Sequence, residues 1–458
     1  MADAEKRDLR KEAAPVHKSR ENSTFKHSPD SGSTSGSIRT LSECSYGESK
    51  EAAVIRTTKR RRCARDVNEY SLIGPVGEGA YGVVWKARDP ESGRPVALKM
   101  IKTGADSGIQ QDEMGFPITS IREIRILKLL RHDNIVNLLD VATDVHGSMK
   151  GGKPGDVYMV FDYLDADLEG IMKTPELRLT SIHVKSFMHQ LLLGLEYMHR
   201  HKVIHRDLKG ANLLVSTGGR LKIGDFGLAR SLHSNVKVLT SKVITLWYRP
   251  PELLMRASMY STAIDMWSVG CIFAELLQGS ALFPGKDEAE QLNRIFDMCG
   301  TPTSETWPNV NACPDWEAHW KTEAAKNPRQ SNLRKKFHNL SPPSVLDLLE
   351  RLLRLDPRER ISAKEALSHD YFYDSPKVVS PECVPRLNFQ SCHELEAKKR
   401  AKEERIAQMK KKEEDERKAK EIQMRAIAHR SAQRKMASRG GYPSHLARPA
   451  ISKESTGW

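Results

Sequence analysis

The 458-residue chain has a formal charge of +14, and almost all of that excess lies at its two ends. Residues 1–65 carry a net charge of +6 and residues 395–439 carry +8, whereas residues 66–394 hold 40 basic and 41 acidic side chains. This distribution excludes a uniformly basic globule of the histone or ribosomal type. The length suits one large two-lobed domain or two ordinary ones, with tails.

The seven cysteines are scattered and form no CxxC pair, which argues against a disulfide framework and against a zinc ribbon. A reduced intracellular compartment fits this usage best. The N-terminal residues contain no apolar stretch after their charges, and no apolar run approaches the roughly 18 residues that span a bilayer. We therefore expect neither a secretory signal nor contact with a membrane.

The first predicted segment, residues 1–65, is rich in serine and charge and is expected to be a disordered basic arm. It ends in the cluster Lys59–Arg62, which fits either a nuclear-import or nucleic-acid patch or an ordinary solvated charge run.

The next segments predict an α+β protein with a small β-rich lobe (66–163) and a larger α-helical lobe (164–372). Three β-prone runs at residues 71–79, 81–89 and 94–101 are separated by turn residues and indicate antiparallel strands. A helical pattern covers Ile118–His132, another strand reaches Val157–Leu164, and helices follow at Lys185–His199 and Thr262–Gly279.

Three segments follow the larger lobe: an extension (373–393), a charged helix (394–439) and a disordered tail (440–458). Helix formation is favoured by Glu-to-basic pairs four residues apart, each worth about 0.2–0.5 kcal/mol: Glu413–Arg417, Glu414–Lys418, Glu416–Lys420 and Glu421–Arg425. No apolar heptad seam is sustained, so a solvated helix is expected in preference to a coiled coil or a dedicated nucleic-acid element.

Gly77, Gly79 and Gly82 form a GxGxxG motif that leads into a β-prone run instead of a helix. This order predicts a hairpin whose backbone N–H groups cover the phosphates of a nucleotide, and not a dinucleotide-binding turn. Lys99 ends the third predicted strand, and Glu123 lies on the helix expected to pack over it. A pair between them would aim the ammonium group at the α- and β-phosphates.

The run His205–Asn212 fits H-R-D-L-x-x-x-N at every specified position, and Asp225-Phe226-Gly227 follows within twenty residues. Asp207 can accept the proton of an incoming hydroxyl group, and Lys209 can neutralise a transferring phosphoryl group. Asn212 and Asp225 offer oxygen ligands to Mg²⁺.

Together these motifs resemble the eukaryotic protein-kinase signature over roughly residues 70–372. Pro117–Glu123 resembles the cyclin-binding PSTAIRE-type helix of the cyclin-dependent kinases, and Thr245–Arg249 resembles their TxWYR run. Three further motifs resemble the transcription-elongation branch, whose cyclin T- and cyclin K-dependent members phosphorylate the RNA polymerase II C-terminal repeat: Gly115–Thr119, Arg249–Leu254 and Cys392–Leu395.

The resemblance implies the bilobal kinase fold, ATP and Mg²⁺ as cofactors, and a T- or K-type cyclin bound through Pro117–Glu123. It implies Ser/Thr specificity from Lys209 and Thr245, and a preference for proline after the acceptor from the loop around Ile244. It also implies a set of ATP-binding positions: Val76, Gly77, Glu78, Gly79, Ala80, Tyr81, Gly82, Val84, Ala97, Lys99, Phe161, Asp162, Leu164 and Leu214.

Regulation is also implied by the resemblance. An activating kinase is expected to phosphorylate Thr240, and the phosphate is expected to bind Arg122, Arg206 and Arg230. Tyr81 is expected as an inhibitory phosphosite, and His393 with Glu394 as a tail that returns toward the nucleotide. The interval from Lys99 to Glu123 is about six residues longer than the family pattern, with the extra length in 102–111.

The leading interpretation is a nuclear, cyclin-activated kinase for Ser-Pro and Thr-Pro sites. A cell-cycle or splicing-linked member of the same family is the alternative within that class. A kinase-fold protein that tethers RNA, DNA or chromatin through its basic tails is the alternative from another class.

Overall fold

The computed structural model describes residues 64–79, 82–101, 116–147, 149, 153–232, 244–389 and 392–437. These residues belong to one unit, Arg62–Trp458. Several predicted features lie outside the described residues: the cluster Lys59–Arg62, Ala80, Tyr81, the insertion at 102–111 and Thr240.

The smaller lobe is built on a six-stranded sheet. Its strands are β1 (Arg65–Asp66), β2 (Ser71–Gly79), β3 (Gly82–Arg88), β4 (Pro95–Ile101), β5 (Leu138–Thr143) and β6 (Val157–Asp162), in the spatial order β1-β5-β6-β4-β3-β2. The three predicted antiparallel strands are confirmed as β2, β3 and β4. Gly93 turns the chain between β3 and β4 with a φ of 67°, a conformation that glycine adopts without strain.

The folded region begins earlier than predicted, because Arg65 was assigned to the disordered arm. Arg65 lies in β1, which pairs in parallel with β5 opposite Ala142. Its guanidinium group also binds Asp89 at 2.8 Å and Glu91 at 2.5 Å. All of these partners are distant in sequence, so the local composition does not reveal them.

One helix, α1 (Ile118–Leu129), packs against the sheet. Ile126 and Leu127 are buried, whereas Leu129 is exposed. The helix ends three residues before the predicted limit of His132, because Leu130 takes an extended backbone conformation.

The larger lobe is mainly helical, which confirms the predicted fold class. Its helices are α2 (Leu168–Met172), α3 (Ser181–Arg200), α4 (Pro251–Leu254), α5 (Ala263–Gln278), α6 (Glu288–Cys299), α7 (Lys321–Lys326), α8 (Leu333–Lys336), α9 (Pro343–Leu352) and α10 (Ala363–Leu367). Five short strands complete it: β7 (Ala166–Asp167), β8 (Val203–Ile204), β9 (Leu213–Val215), β10 (Leu221–Ile223) and β11 (Arg230–Ser231). Its core packs around α3 and α5, where Phe187, Trp267 and Phe273 are fully buried.

Residues 373–389 and 392–393, which we call the C-terminal strap, run along the larger lobe. Lys185 Nζ donates to the carbonyl of Asp374 at 2.9 Å, and Arg220 binds Glu382 at 2.9 Å. At the far end, Cys392 N donates to the carbonyl of Asp165 at 3.1 Å. The strap therefore leads back to the connection between the two lobes.

The chain continues as α11 (Glu394–Ala437), a helix of 44 residues. Its described side chains are exposed, as expected for a solvated helix. Two predicted ion pairs form, Glu414–Lys418 and Glu421–Arg425, each at 2.8 Å. The other two do not form within 4 Å. Of the helices in the described part of the chain, none is both long and apolar enough to cross a membrane.

Candidate active site

The cleft between the lobes brings together a lysine and two carboxylates from three distant segments. Lys99 Nζ, on β4, lies 2.9 Å from Glu123 Oε1 on α1 and 2.9 Å from Asp225 Oδ1. Burial alone would lower the pKa of Lys99, but the two carboxylates outweigh it and raise the pKa above its usual range. The positive charge of Lys99 lowers the pKa of Asp225 to about 2, although burial acts in the opposite direction and would raise it. Lys99 and Asp225 are therefore both ionised at neutral pH.

Asp207 lies at the centre of a second hydrogen-bonded group. Its carboxylate accepts from Lys209 Nζ at 3.1 Å, from Asn212 Nδ2 at 3.0 Å and from Thr245 Oγ1 at 2.9 Å. Lys209 and Asn212 belong to the same loop as Asp207, whereas Thr245 lies in the segment that begins at Ile244. Asp207 is thus held in one orientation by neighbours that can also approach a bound hydroxyl group.

A buried carboxylate on α5 fixes the loop that carries Asp207. Asp265 accepts from the backbone N–H groups of His205 and Arg206, each at 3.0 Å, and from His199 Nε2 at 2.9 Å. Burial alone would raise the pKa of Asp265, but these hydrogen bonds and the nearby histidines lower it. Arg206 needs this support because its φ of 68° is costly for a residue with a side chain.

The donor set of the cleft fits a divalent cation. Asn212 commits its amide nitrogen to Asp207, which leaves the amide oxygen as the atom available to a metal. Asp225 gives one oxygen to Lys99 and keeps the other, and its side chain is 37% exposed. A carboxylate and an amide oxygen are hard ligands of the kind that Mg²⁺ prefers.

Most of the residues predicted to contact a nucleotide that the structure describes lie on β2, β3, β4 and β6. The GxGxxG motif spans the β2–β3 hairpin, with Gly79 opposite Gly82, so it does not open a helix. The sheet register places Val84 beside Lys99 and Ala97 beside Phe161. Among the other predicted positions, Leu164 is buried and Val76 and Leu214 are half-buried.

Asp162 holds the back of the connection between the lobes through its side chain. The carboxylate accepts from Asn137 Nδ2 at 2.7 Å and from Lys222 Nζ at 2.7 Å. Because its carboxylate is engaged in this way, any contact of Asp162 with a nucleotide would be made by its backbone, and this contact stays a prediction.

The backbone at Ile244 turns its carbonyl group toward an arginine. Ile244 has a φ of 71°, a strained value for a β-branched residue. Its carbonyl oxygen accepts from Arg249 Nη2 at 3.0 Å and from Nε at 3.3 Å. This carbonyl is consequently occupied and cannot accept from the backbone of a bound peptide.

Arg122, Arg206 and Arg230 lie close together, from α1, the Asp207 loop and β11. The pKa of Arg122 is lowered mainly by burial and also by the positive charge of Arg206. The pKa of Arg230 is lowered mainly by burial and also by the charges of Arg122 and Arg206. No carboxylate of the described residues forms an ion pair with any of the three. Arg230 Nε is buried without a hydrogen-bond partner. Guanidinium groups bind phosphate oxygens well, so this cluster stays the predicted receptor for a phosphate on Thr240.

The strap brings His393 to the connection between the lobes. The backbone of Cys392 pairs with Ala166, and His393 Nδ1 lies 3.4 Å from Asp167 Oδ2. The rings of His393 and Tyr163 meet edge to face with their centroids 6.0 Å apart. His393 thus lies next to the predicted nucleotide-binding residues Asp162 and Leu164, and Glu394 follows as the first residue of α11.

A buried ion pair anchors the segment that follows Ile244 and Arg249. Glu252, on α4, binds Arg360 through both carboxylate oxygens at 2.9 and 3.1 Å. Arg360 also donates to the carbonyl groups of Arg354, Ala263 and Leu355, so its five N–H groups are all used.

The sequence motifs did not reveal Asp265, Arg360 or the contact between Thr245 and Asp207. Asp265 lies 58 residues after Asp207 and carries no local signal, apart from being an acidic residue inside the apolar helix α5. An acidic residue in such a helix needs donors. This is the one sequence feature that could have identified it.

Comparison with known proteins agrees with this geometry. The family model of the protein kinase domain matches residues 70–372 of the chain. Cyclin-dependent kinase C-1 of Oryza sativa is 45% identical over 75% of this chain and 66% of its own length. The serine/threonine-protein kinase bur1 of Neurospora crassa is 40% identical over 74% of this chain and 60% of its own.

Among solved structures, the yeast RNA Pol II CTD kinase CTDK-1 complex has a chain that superposes with a TM-score of 0.61. That chain is 38% identical, and the match covers 70% of this chain and 99% of that one. The present chain spans just under two thirds of the length of the rice relative. Its fold, its cleft and its relatives place it in the cyclin-dependent branch of the protein kinase family.

Proposed function

We propose that the chain is a cyclin-dependent Ser/Thr kinase that transfers the γ-phosphoryl group of ATP to Ser-Pro and Thr-Pro sites. The observation that carries this proposal is the contact of Lys99 with both Glu123 and Asp225, opposite the group around Asp207. In phosphoryl transfer most of the acceleration comes from positioning and charge stabilisation. This cleft supplies both.

Each residue of the cleft then has a defined task. Lys99, oriented by Glu123, holds the α- and β-phosphates. Asp207 orients the acceptor hydroxyl and accepts its proton, while Lys209 offsets negative charge on the phosphoryl group in transfer. Asn212 and Asp225 would hold Mg²⁺, which would neutralise part of the phosphate charge.

The preference for proline follows from the engaged carbonyl group of Ile244. An ordinary residue after the acceptor would bring a backbone N–H group to this position, and that N–H would find no acceptor. Proline has no N–H group and loses nothing there. This arrangement supports Ser-Pro and Thr-Pro selectivity.

Activation would require a phosphate on Thr240. A phosphothreonine brings about −1.5 to −2 charge and three acceptor oxygens, which suit Arg122, Arg206 and Arg230. Because these arginines come from α1, the Asp207 loop and β11, one phosphate would tie together the parts of the cleft. A cyclin of the T or K type bound at Pro117–Glu123 would hold α1 and therefore Glu123. Tyr81 would be the inhibitory phosphosite.

The substrate is proposed from the relatives. CTDK-1 is an RNA Pol II CTD kinase, and its chain matches this one along nearly all its length. We propose that this chain also phosphorylates the C-terminal repeat of RNA polymerase II, and that it acts in the nucleus. We also propose that the strap carries His393 and Glu394 toward the nucleotide, because His393 contacts Asp167 and Tyr163 in the connection between the lobes.

The test is a kinase assay of the full chain co-purified with its cyclin, using ATP, Mg²⁺ and peptides that differ only in Ser-Pro or Ser-Ala. Phosphorylation of the Ser-Pro peptide alone is expected. Asp207→Asn should lower kcat by about 10²–10⁴-fold, the usual value of a positioned general base. Asp133→Asn is the matched control, because the side chain of Asp133 is 88% exposed.

Equal loss of activity in the Asp133→Asn control would contradict the role of Asp207. An inactive wild-type complex that binds RNA in a salt-dependent manner would favour the tethering protein instead.

A further inference from the structure

The exposed helix α11 carries a symmetric arrangement of side chains on one face. Ile406 and Met409 form one apolar pair, and Met424 and Ile427 form a second pair on the same face. The pairs are 18 residues apart, which is five helical turns and about 27 Å. All four side chains are exposed, by 44%, 64%, 68% and 55% respectively.

The charged residues between these pairs follow the same symmetry with inverted sign. Glu413 and Lys420 lie at equal distances from the centre of the pattern and carry opposite charges, and the same holds for Glu416 and Arg417. The centre of symmetry lies between Glu416 and Arg417, and the spacing of three, four and three residues is identical in both directions.

The ion pairs within α11 leave this face free. The two that form, Glu414–Lys418 and Glu421–Arg425, are centred about 120° around the helix from this face, at about 100° of rotation per residue. Among the described residues, no ion pair engages Glu413 or Lys420. The charges of the symmetric face are therefore available to a partner.

We propose that this face binds the same face of a second copy of the chain, antiparallel and about a two-fold axis at Glu416–Arg417. In a two-fold interface, each contact between a first residue of one chain and a second residue of the other chain occurs twice, with the roles of the chains exchanged. The antiparallel arrangement places Ile406 level with Ile427 of the partner subunit and Met409 level with Met424 of the partner subunit. It also places Glu413 beside Lys420 of the partner subunit, twice in each dimer.

The parallel arrangement is excluded by the same charges. It would set Glu413 against Glu413 of the partner subunit and Lys420 against Lys420 of the partner subunit, which is repulsive at both positions. The heptad pattern did not reveal this face because its centre is charged and the apolar residues occur only at the ends. Residues 406–427 hold seven basic and five acidic side chains, so this part of the helix is nearly balanced.

The test is sedimentation velocity of the full chain over a roughly hundredfold range of concentration, where mass action should show a monomer–dimer equilibrium. Glu413→Lys, or Lys420→Glu, should weaken the dimer by at least tenfold. The double variant Glu413→Lys/Lys420→Glu should restore it, because complementarity between chains returns. Within the helix the double variant still places like charges near Arg417 and Glu416, so helix loss cannot explain the restoration.

Glu414→Lys, about 110° around the helix from the centre of this face, is the matched control and should dimerise like wild type. Orientation is tested by oxidising a mixture of Met409→Cys and Met424→Cys chains. A disulfide should form between the two variants and not within either one, since like positions lie about 22 Å apart. A wild-type chain that stays monomeric, a control as impaired as Glu413→Lys, or a Met409→Cys chain that cross-links to itself would each overturn the proposal.

Discussion

Breaking the buried pair between Glu252 and Arg360 should destabilise the larger lobe strongly. Both side chains are at most 3% exposed, and all five N–H groups of Arg360 are used. Glu252→Gln leaves a buried guanidinium group without its counter-charge, at a cost of about 3–5 kcal/mol. Natural domains are stable by only about 5–15 kcal/mol, so this is a large fraction of the total.

The expected effect can be measured by thermal unfolding. For a domain of 150–250 residues, 1 kcal/mol corresponds to about 2–4 °C in Tm, so Glu252→Gln should lower Tm by roughly 6–20 °C. Lys321→Gln is the control: it breaks a pair with the same 2.9 Å separation to Glu317, but both side chains are about half exposed. The control should cost less than about 1 kcal/mol.

The double variant Glu252→Leu/Arg360→Met separates the two parts of this reasoning. If the penalty comes from an uncompensated buried charge, the apolar pair should cost less than the Glu252→Leu and Arg360→Met variants added together, even though the carbonyl groups of Arg354, Ala263 and Leu355 lose their donor. A Glu252→Gln protein as stable as the Lys321→Gln control, or a double variant with the summed cost of both singles, would refute it.

Three further outcomes are expected. Arg249→Ala frees the carbonyl of Ile244, so the preference for Ser-Pro over Ser-Ala peptides should fall by about tenfold, or 1.4 kcal/mol, in kcat/KM; an unchanged ratio would contradict the assignment. Sulfate should raise the Tm of the unphosphorylated protein by binding the arginine cluster, and Arg230→Ala should remove most of that gain. The pKa of Asp225 is depressed from 3.8 to about 2, so its contribution to stability should be complete above pH 4 and lost as the pH falls toward 2. Lys99→Met should shift that loss to higher pH in unfolding curves.

The parts of the site that could be predicted from the sequence are those whose polar residues lie within a few positions of one another. The segment His205–Asn212 and the Asp225 turn carry their functional side chains within a few residues of one another, and the structure brings them to one cleft with Lys99. The strands β2, β3 and β4 were also predictable, because β-prone runs alternate with turn residues there.

The rest depends on partners that are distant in sequence. Arg65 is held by a strand more than seventy residues away, and Arg360 reaches Glu252 across 108 residues. Such pairings arise from tertiary packing, which local composition does not record. The symmetric face of α11 escaped notice for another reason: its pattern becomes meaningful only when a second helix is placed opposite.

The anchoring of the Asp207 loop by Asp265 divides the protein into a part that is ready and a part that must be assembled. Because a carboxylate of the folded core holds two backbone N–H groups of the loop, the entropy of ordering Asp207, the proposed base, would be lost during folding and not at each catalytic cycle. The arginine cluster, in contrast, joins three segments, and its like charges lower the pKa of Arg122 and of Arg230 in addition to the effect of burial. An anion bound there would offset this repulsion, so the proposed phosphate would act on the position of α1 and β11, whereas the Asp207 loop is already ordered.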